Sequence, residues 1–159
     1  MIPYAVLAAY QITASAHQAE TIREQARFKE MVDEQNAQFV ELDAFNAEAF
    51  GYGEAARYEA VADSQIADQR VAYASQNVDV GYGTAAEVQA ESKLVKGLNV
   101  LSLQKQARER SKGLRNEAKN IRLGSRFSSM QSEMEANATQ NAGLIGAAQT
   151  GLSGYSKNY

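Results

Sequence analysis

Large apolar residues recur every 11 positions in the first half of the chain, and this spacing constrains the fold more than any other feature. The row, which we call the packing stripe, consists of Phe28, Phe39, Phe50 and Val61. Eleven residues make three turns of a helix with about 3.67 residues per turn. A strand would require apolar residues to alternate with a period of two, and that alternation is absent. The sequence therefore predicts a long helix whose apolar stripe must be covered by a partner.

Composition divides the chain into five predicted segments. They are an apolar, Ala-rich N-terminal segment at 1–16, a long acidic helix at 17–76, a turn at 77–83, a long basic helix at 84–142 and a glycine-rich C-terminal tail at 143–159. Gly51-Tyr52-Gly53 predicts a kink at 51–53 in a continuous helix, and the alternative is a break there that makes three helices. The tail is expected to be ordered only by packing.

The predicted turn contains the signals that end one helix and start another. Gly81 and Gly83 interrupt the helical composition, and Thr84 is followed three residues later by Glu87. Ser or Thr with Glu at this spacing is the capping box, in which each side chain binds a free backbone N–H of the first turn. The second helix is therefore expected to start with Thr84 as its N-cap.

Charge is divided unequally between the two halves. Residues 1–80 carry five Lys and Arg against thirteen Asp and Glu, a net −8, and residues 81–159 carry eleven against six, a net +5. Basic residues spaced 3, 4, 3, 4, 3 and 4 apart form one helical face, the basic stripe: Lys105, Arg108, Lys112, Arg115, Lys119, Arg122 and Arg126.

Two interpretations of the basic stripe remain open. Folding the chain back near residue 81 places it beside the acidic helix, with expected pairs Arg108–Glu54, Arg115–Glu48, Lys119–Asp43, Arg122–Glu41 and Arg126–Glu34. Alternatively, the stripe follows the phosphates of a nucleic acid. No aromatic residues interleave with it, so base stacking is not indicated.

The composition excludes most catalytic and metal chemistry. The chain has no Cys and one His, so thiolate metal sites, thiol nucleophiles and disulfides are excluded. His17 lies 11 residues before Phe28 and belongs to the apolar repeat. We expect no enzyme activity, no metal site and no cofactor.

The N-terminal segment is the candidate for contact with a membrane or with neighbouring copies. It is too short and too polar at Gln11 to span a bilayer. The residues expected to make the contact are Tyr4, Val6, Leu7, Tyr10 and Ile12.

Residues 77–91, NVDVGYGTAAEVQAE, resemble the mid-chain segment of the small internal virion proteins of short-tailed bacteriophages. In that family a Gln- and Ala-rich helix leads through a Val-Asp turn and a Gly-Ser/Thr step into a second long helix. The resemblance implies a non-enzymatic core protein stored near the portal, with other internal virion, portal or tail proteins as partners. It further implies ejection into the host envelope, where the protein would contribute to a channel at the outer membrane.

Together these features predict an all-α fold, a long antiparallel helical hairpin that is elongated and coiled-coil-like and assembles into a ring or tube. The predicted function is that of a homo-oligomeric phage core protein for genome delivery. Two alternatives stay open: a DNA-packing accessory protein that binds genomic DNA with the basic stripe, and a coiled-coil scaffold.

Overall fold

Two long α-helices account for almost all of the structure, a computed structural model that describes residues 4–156 and the side chains of residues 5–153. Helix α1 runs over Tyr4–Ser75 and helix α2 over Gly83–Ser156. Residues 4–156 contain no proline and no strand, and the Ala, Glu and Gln that dominate α1 are all strong helix formers. The predicted all-α hairpin of two packed helices is confirmed; ring or tube assembly stays a prediction.

Several predicted boundaries differ from the observed ones. Helix α1 begins at Tyr4, so the N-terminal segment is helical from that residue, and α1 continues through Gly51-Tyr52-Gly53 without a break. The alternative of three helices is therefore wrong. Helix α2 extends to Ser156 instead of ending at 142, because the glycine-rich stretch packs against α1: a Cβ on Gly143 would overlap Ser15, and the Thr150 hydroxyl donates to Gln11 Oε1 at 3.1 Å.

The chain divides into two units, each of which contains a segment of both helices. The terminal unit comprises Met1–Gln38 with Ala118–Tyr159, and the turn unit comprises Phe39–Glu117. Within the turn unit Glu48 pairs with Arg115 and Asp63 with Lys96, so the two segments run antiparallel. Within the terminal unit Gln11 meets Thr150 and Glu34 meets Arg122, which shows the same direction.

Small side chains fill the contact between the helices, which we call the seam. In the turn unit it consists of Ala44, Gly51, Ala55, Ala62 and Ile66 from α1 with Ala85, Gln89, Ala107 and Ser111 from α2. In the terminal unit it consists of Ser15, Ala19 and Ala37 with Ala118, Ser125, Ala136 and Ala147. The buried hydrophobic residues of the described chain are ten alanines and Ile66. The 11-residue step recurs here, for example at Ala44, Ala55 and Ile66.

The seam is narrow because the backbones approach closely. A Cβ on Gly51 would overlap the Ala107 Cβ and would lie 3.4 Å from its Cα. Such a contact has no room for a Leu or Phe, so the large apolar residues lie elsewhere.

The connection between the helices starts with a Schellman motif centred on Asn77. Asn77 has φ 55°; its N–H donates to the Ala74 carbonyl at 3.1 Å and that of Val78 donates to the Tyr73 carbonyl at 3.0 Å. This is the 6→1 and 5→2 pattern of a helix end with Asn in the left-handed conformation. The Asp79 carboxylate then accepts from the Gly81 N–H at 2.9 Å.

The start of α2 differs from the predicted capping box. Helix α2 begins at Gly83, which has a φ of 64°. This left-handed conformation is routine for glycine and occasional for Asn or Asp, but it is unfavourable for other residues. Thr84 already lies inside the first turn, and no side-chain hydrogen bond of Thr84 or Glu87 occurs within residues 4–156. The turn is thus set by backbone conformation at Asn77 and Gly83.

Replacing Gly83 with Ala should destabilise the fold by about 1–2 kcal/mol, because the left-handed conformation penalises a Cβ. Nothing lies within 4 Å of a Cβ built there, so steric overlap adds no cost. Thr84→Ala is the matched control and should change the free energy of unfolding by less than about 0.5 kcal/mol. Urea unfolding followed by circular dichroism measures both. A loss of about 1 kcal/mol in Thr84→Ala would instead show that Thr84 acts as the cap.

Replacing Gly51 with Ala should destabilise the turn unit by about 1–3 kcal/mol, because the added methyl group forces the helices apart at Ala107. Gly113→Ala is the control: Gly113 is also a helical glycine, but it is exposed and a Cβ there meets nothing within 4 Å. It should stabilise the protein by up to about 1 kcal/mol. Equal effects of the two substitutions in urea unfolding would contradict the close approach at Gly51.

Candidate interaction surfaces

The described residues present surfaces, rather than a metal-binding cluster, as candidate functional features. They contain no group of three or more His, Cys, Asp or Glu side chains placed to hold a metal ion. Over the same residues neither helix has a stretch that is both long and apolar enough to cross a membrane. His17 is exposed on α1. The candidate functional features are therefore surfaces, which we describe unit by unit.

In the turn unit two residues of the basic stripe contact side chains of α1. Arg115 Nη2 lies 3.0 Å from Glu48 Oε2, as predicted, and the same oxygen accepts from the Ser111 hydroxyl at 3.1 Å. Arg108 does not pair with Glu54, which was the predicted partner. Its Nε donates to the Tyr52 hydroxyl at 2.7 Å, and its guanidinium lies 5.6 Å from the centre of the Tyr52 ring.

The rest of the stripe in the turn unit is open to solvent. Lys105 Nζ lies 3.8 Å from Glu109 on its own helix, and both side chains are exposed. Lys112 is exposed and has no ion pair within the described residues. The acidic Asp43 and Glu54 of α1 are likewise exposed with no ion pair in that range. Unmatched charges of opposite sign thus remain on the two helices.

Lys96 is the most engaged lysine, although it lies outside the predicted stripe. Its Nζ lies 2.7 Å from Asp63 Oδ1 and 3.6 Å from Glu59 Oε1. The hydrogen bond that Lys96 donates to Asp63, with the nearby charges of both carboxylates, raises the Lys96 pKa above its ordinary value. The stripe pattern missed this residue because Lys96 precedes the 3, 4 spacing that begins at Lys105.

In the terminal unit Arg122 forms the best-defined ion pair. Its Nε and Nη2 donate to the two oxygens of Glu34 at 2.9 and 3.0 Å, the two-point geometry that favours Arg–carboxylate pairs. The hydrogen bond from Arg122, followed by that from Gln38, holds the Glu34 pKa below its ordinary value of 4.5. Arg126 lines a groove together with Glu34 and Arg122, and its charge also lowers the Glu34 pKa. Lys119 is exposed without an ion pair in the described part of the chain.

The packing stripe points to solvent. Phe28, in the terminal unit, is 65% exposed. In the turn unit Phe39, Phe50 and Val61 are 66%, 71% and 57% exposed. The 11-residue spacing correctly placed them on one helical face, but the seam between α1 and α2 uses a different face. Whatever covers the stripe, it is not α2 of the same chain.

The ends of both helices in the terminal unit present apolar side chains. Val6, Leu7, Tyr10 and Ile12 are at least 40% exposed; the side chain of Tyr4 lies outside the described side chains. Gln11, which made this segment look polar, accepts the hydrogen bond of Thr150 on α2. The facing end of α2 adds exposed residues that the sequence did not single out as contacts: Leu144, Ile145 and Leu152.

Replacing Arg122 with Gln should raise the Glu34 pKa towards 4.5, because the strongest hydrogen bond to the carboxylate is lost. A lowered pKa means that this pair favours the folded state above the ordinary pKa, and that its contribution is lost as the pH falls through the lowered value. Titration of the labelled Glu34 carboxyl by NMR measures the shift, with Lys119→Gln as the control that should leave it unchanged. A Glu34 pKa that is equal in wild type and Arg122→Gln would refute the pair.

Comparisons with protein-family models, with curated proteins and with solved structures find no match for this chain. The likeness to internal virion proteins therefore rests on residues 77–91 and on the layout of the chain.

Proposed function

We propose that this chain is a non-enzymatic structural protein that self-associates through its exposed apolar side chains. In line with the resemblance, it serves as an internal core protein of a phage virion. It is stored near the portal beside other internal, portal or tail proteins. It is then ejected into the host envelope, where it contributes to a channel for genome delivery.

The observation that carries the proposal is that small side chains are buried between the helices while large apolar side chains are exposed. Alanine, serine and glycine fill the seam, while Phe28, Phe39 and Phe50 are more than 60% exposed. Exposed apolar surface on this scale marks sites of association with proteins or membranes. A chain built in this way is most stable as a subunit of a larger assembly.

The composition supports passage through a narrow channel. The chain has no cysteine and one proline, so unfolding and refolding require neither disulfide exchange nor, apart from Pro3, slow prolyl isomerisation. Its narrow seam buries little large apolar surface, so unfolding one copy breaks few strong contacts.

The apolar ends of the terminal unit are the proposed lipid contact. Gln11 and Ser15 face α2, whereas Val6, Leu7 and Ile12 of the same segment are exposed to solvent. Because no described helix meets the requirement for spanning a membrane, the contact is interfacial or is made by several copies together.

Replacing Val6, Leu7 and Ile12 with Ser should abolish binding to liposomes and leave the helical content unchanged. The control is the triple change Phe127, Met130 and Met134 to Ser, which removes exposed apolar side chains of the same unit away from the helix ends. Flotation with vesicles and dye leakage measure the effect. Virions that carry the first triple change should assemble but deliver DNA poorly. Wild-type liposome binding by that variant would remove the lipid role.

Binding to genomic DNA is the second candidate, and the exposed Lys112 and Lys119, which have no ion pair within residues 4–156, favour it. Retention on DNA that falls steeply with salt would support this function. The remaining alternative is a coiled-coil scaffold, which predicts self-association without lipid or DNA binding.

A further inference from the structure

We propose that the outer face of α1 in one copy packs against the outer face of α2 in the next copy, within the turn unit. The α1 outer face consists of Phe39, Leu42, Asp43, Phe50, Glu54 and Val61. The α2 outer face consists of Leu94, Leu98, Leu101, Lys105 and Lys112. The inference rests on the self-association proposed above and names the surfaces that perform it.

Both outer faces point away from the seam. Phe50 and Val61 lie five and six residues from the buried Ala55, which places them about 130° around the helix from it. On α2, Leu101 has the same relation to the buried Ala107. Leu94, Leu98 and Leu101 are each more than half exposed. Each copy therefore presents two apolar faces, on opposite sides of the seam, that no part of the turn unit covers.

The two helices of the turn unit carry opposite net charge, which favours binding between the outer face of α1 and the outer face of α2. Residues 39–75 of α1 hold seven acidic residues and two arginines, and residues 83–117 of α2 hold seven basic and four acidic residues. Asp43 and Glu54 have no ion pair within the described residues, and Lys105 has only the 3.8 Å contact to Glu109. Two α1 faces brought together would repel, whereas an α1 face attracts an α2 face.

The positions of these residues along the helix axis also match. Gly51 lies opposite Ala107 across the seam, and the segments are antiparallel, so Glu54 is level with residue 104 and Val61 with residue 97. If neighbouring copies are related by rotation about an axis parallel to the helices, levels are preserved from copy to copy. Glu54 then meets Lys105, and Val61 meets Leu98, each within one residue.

Gly53 provides a recess for the neighbouring lysine. A Cβ on Gly53 would meet nothing within 4 Å, and the groove above it is lined by Ala49, Phe50, Gly53, Glu54 and Arg57. The aliphatic stem of Lys105 from the next copy fits along Phe50 in this groove, with its ammonium at Glu54. Binding between unlike faces repeats from copy to copy, so it produces a closed ring or a filament rather than a twofold dimer.

Cross-linking of single-cysteine variants tests the pairing of faces, because the chain has no cysteine of its own. Val61→Cys, Leu98→Cys and, as a control in the exposed turn, Gln76→Cys are prepared as full chains, mixed in pairs and treated with a short bis-maleimide. Cross-linked dimers are expected from Val61→Cys mixed with Leu98→Cys. Neither variant alone, nor Gln76→Cys mixed with Leu98→Cys, should give more than the collisional background.

A charge exchange gives an independent readout that does not depend on cysteine chemistry. Glu54→Lys should weaken self-association about two- to five-fold in sedimentation velocity, and the double variant Glu54→Lys with Lys105→Glu should restore it. Cross-linking of Val61→Cys with itself, or failure of the double variant to restore association, would overturn the pairing of unlike faces. If the chain oligomerises in either case, self-association survives and only the faces are wrong. A monomeric wild type would overturn both proposals.

Discussion

The close approach of α1 and α2 is the constraint on which the rest of the structure depends. A Cβ added at Gly51 in the turn unit would overlap Ala107, and a Cβ added at Gly143 in the terminal unit would overlap Ser15. Helices this close place mainly Ala, Ser or Gly between them, and the buried set is ten alanines and Ile66 with three serines and Gln89. The seam gains stability from many short contacts between small groups, rather than from the burial of a few large side chains.

This choice fixes the surface as well as the interior. Since Phe, Leu and Met do not fit into the seam, they lie outside it and are exposed, as Phe50, Leu101 and Met130 are. Ion pairs such as Arg115–Glu48 and Arg122–Glu34 flank the seam at its solvent edges. Exposed pairs contribute about 0–1 kcal/mol each, so they select the antiparallel register more than they stabilise it. In the proposed function, a second layer formed by other copies covers the large apolar side chains.

Much of the fold followed from the sequence, and the exceptions have two physical causes. The 11-residue row predicted α1 and its end near residue 76, but the predicted start at residue 17 lies 13 residues after the observed start at Tyr4. The pair Arg115–Glu48 followed from folding the chain back. Periodicity identifies residues that share a helical face, but it cannot say which face points inward. Periodicity therefore predicts that the row of Phe residues is the buried face. In the structure an 11-residue row of mostly small residues is buried instead. Asn77 and Gly83, rather than Thr84, shape the turn. Periodicity could not show this, because a left-handed backbone conformation leaves no periodic trace in a sequence.

The account rests on the claim that a single copy leaves its large apolar side chains uncovered and gains stability by association. The most direct test is the urea unfolding midpoint measured over a wide range of protein concentration. If association covers these side chains, the midpoint rises with concentration, because the folded state is linked to the assembled one. A midpoint independent of concentration, for a chain that remains monomeric throughout, would contradict the account.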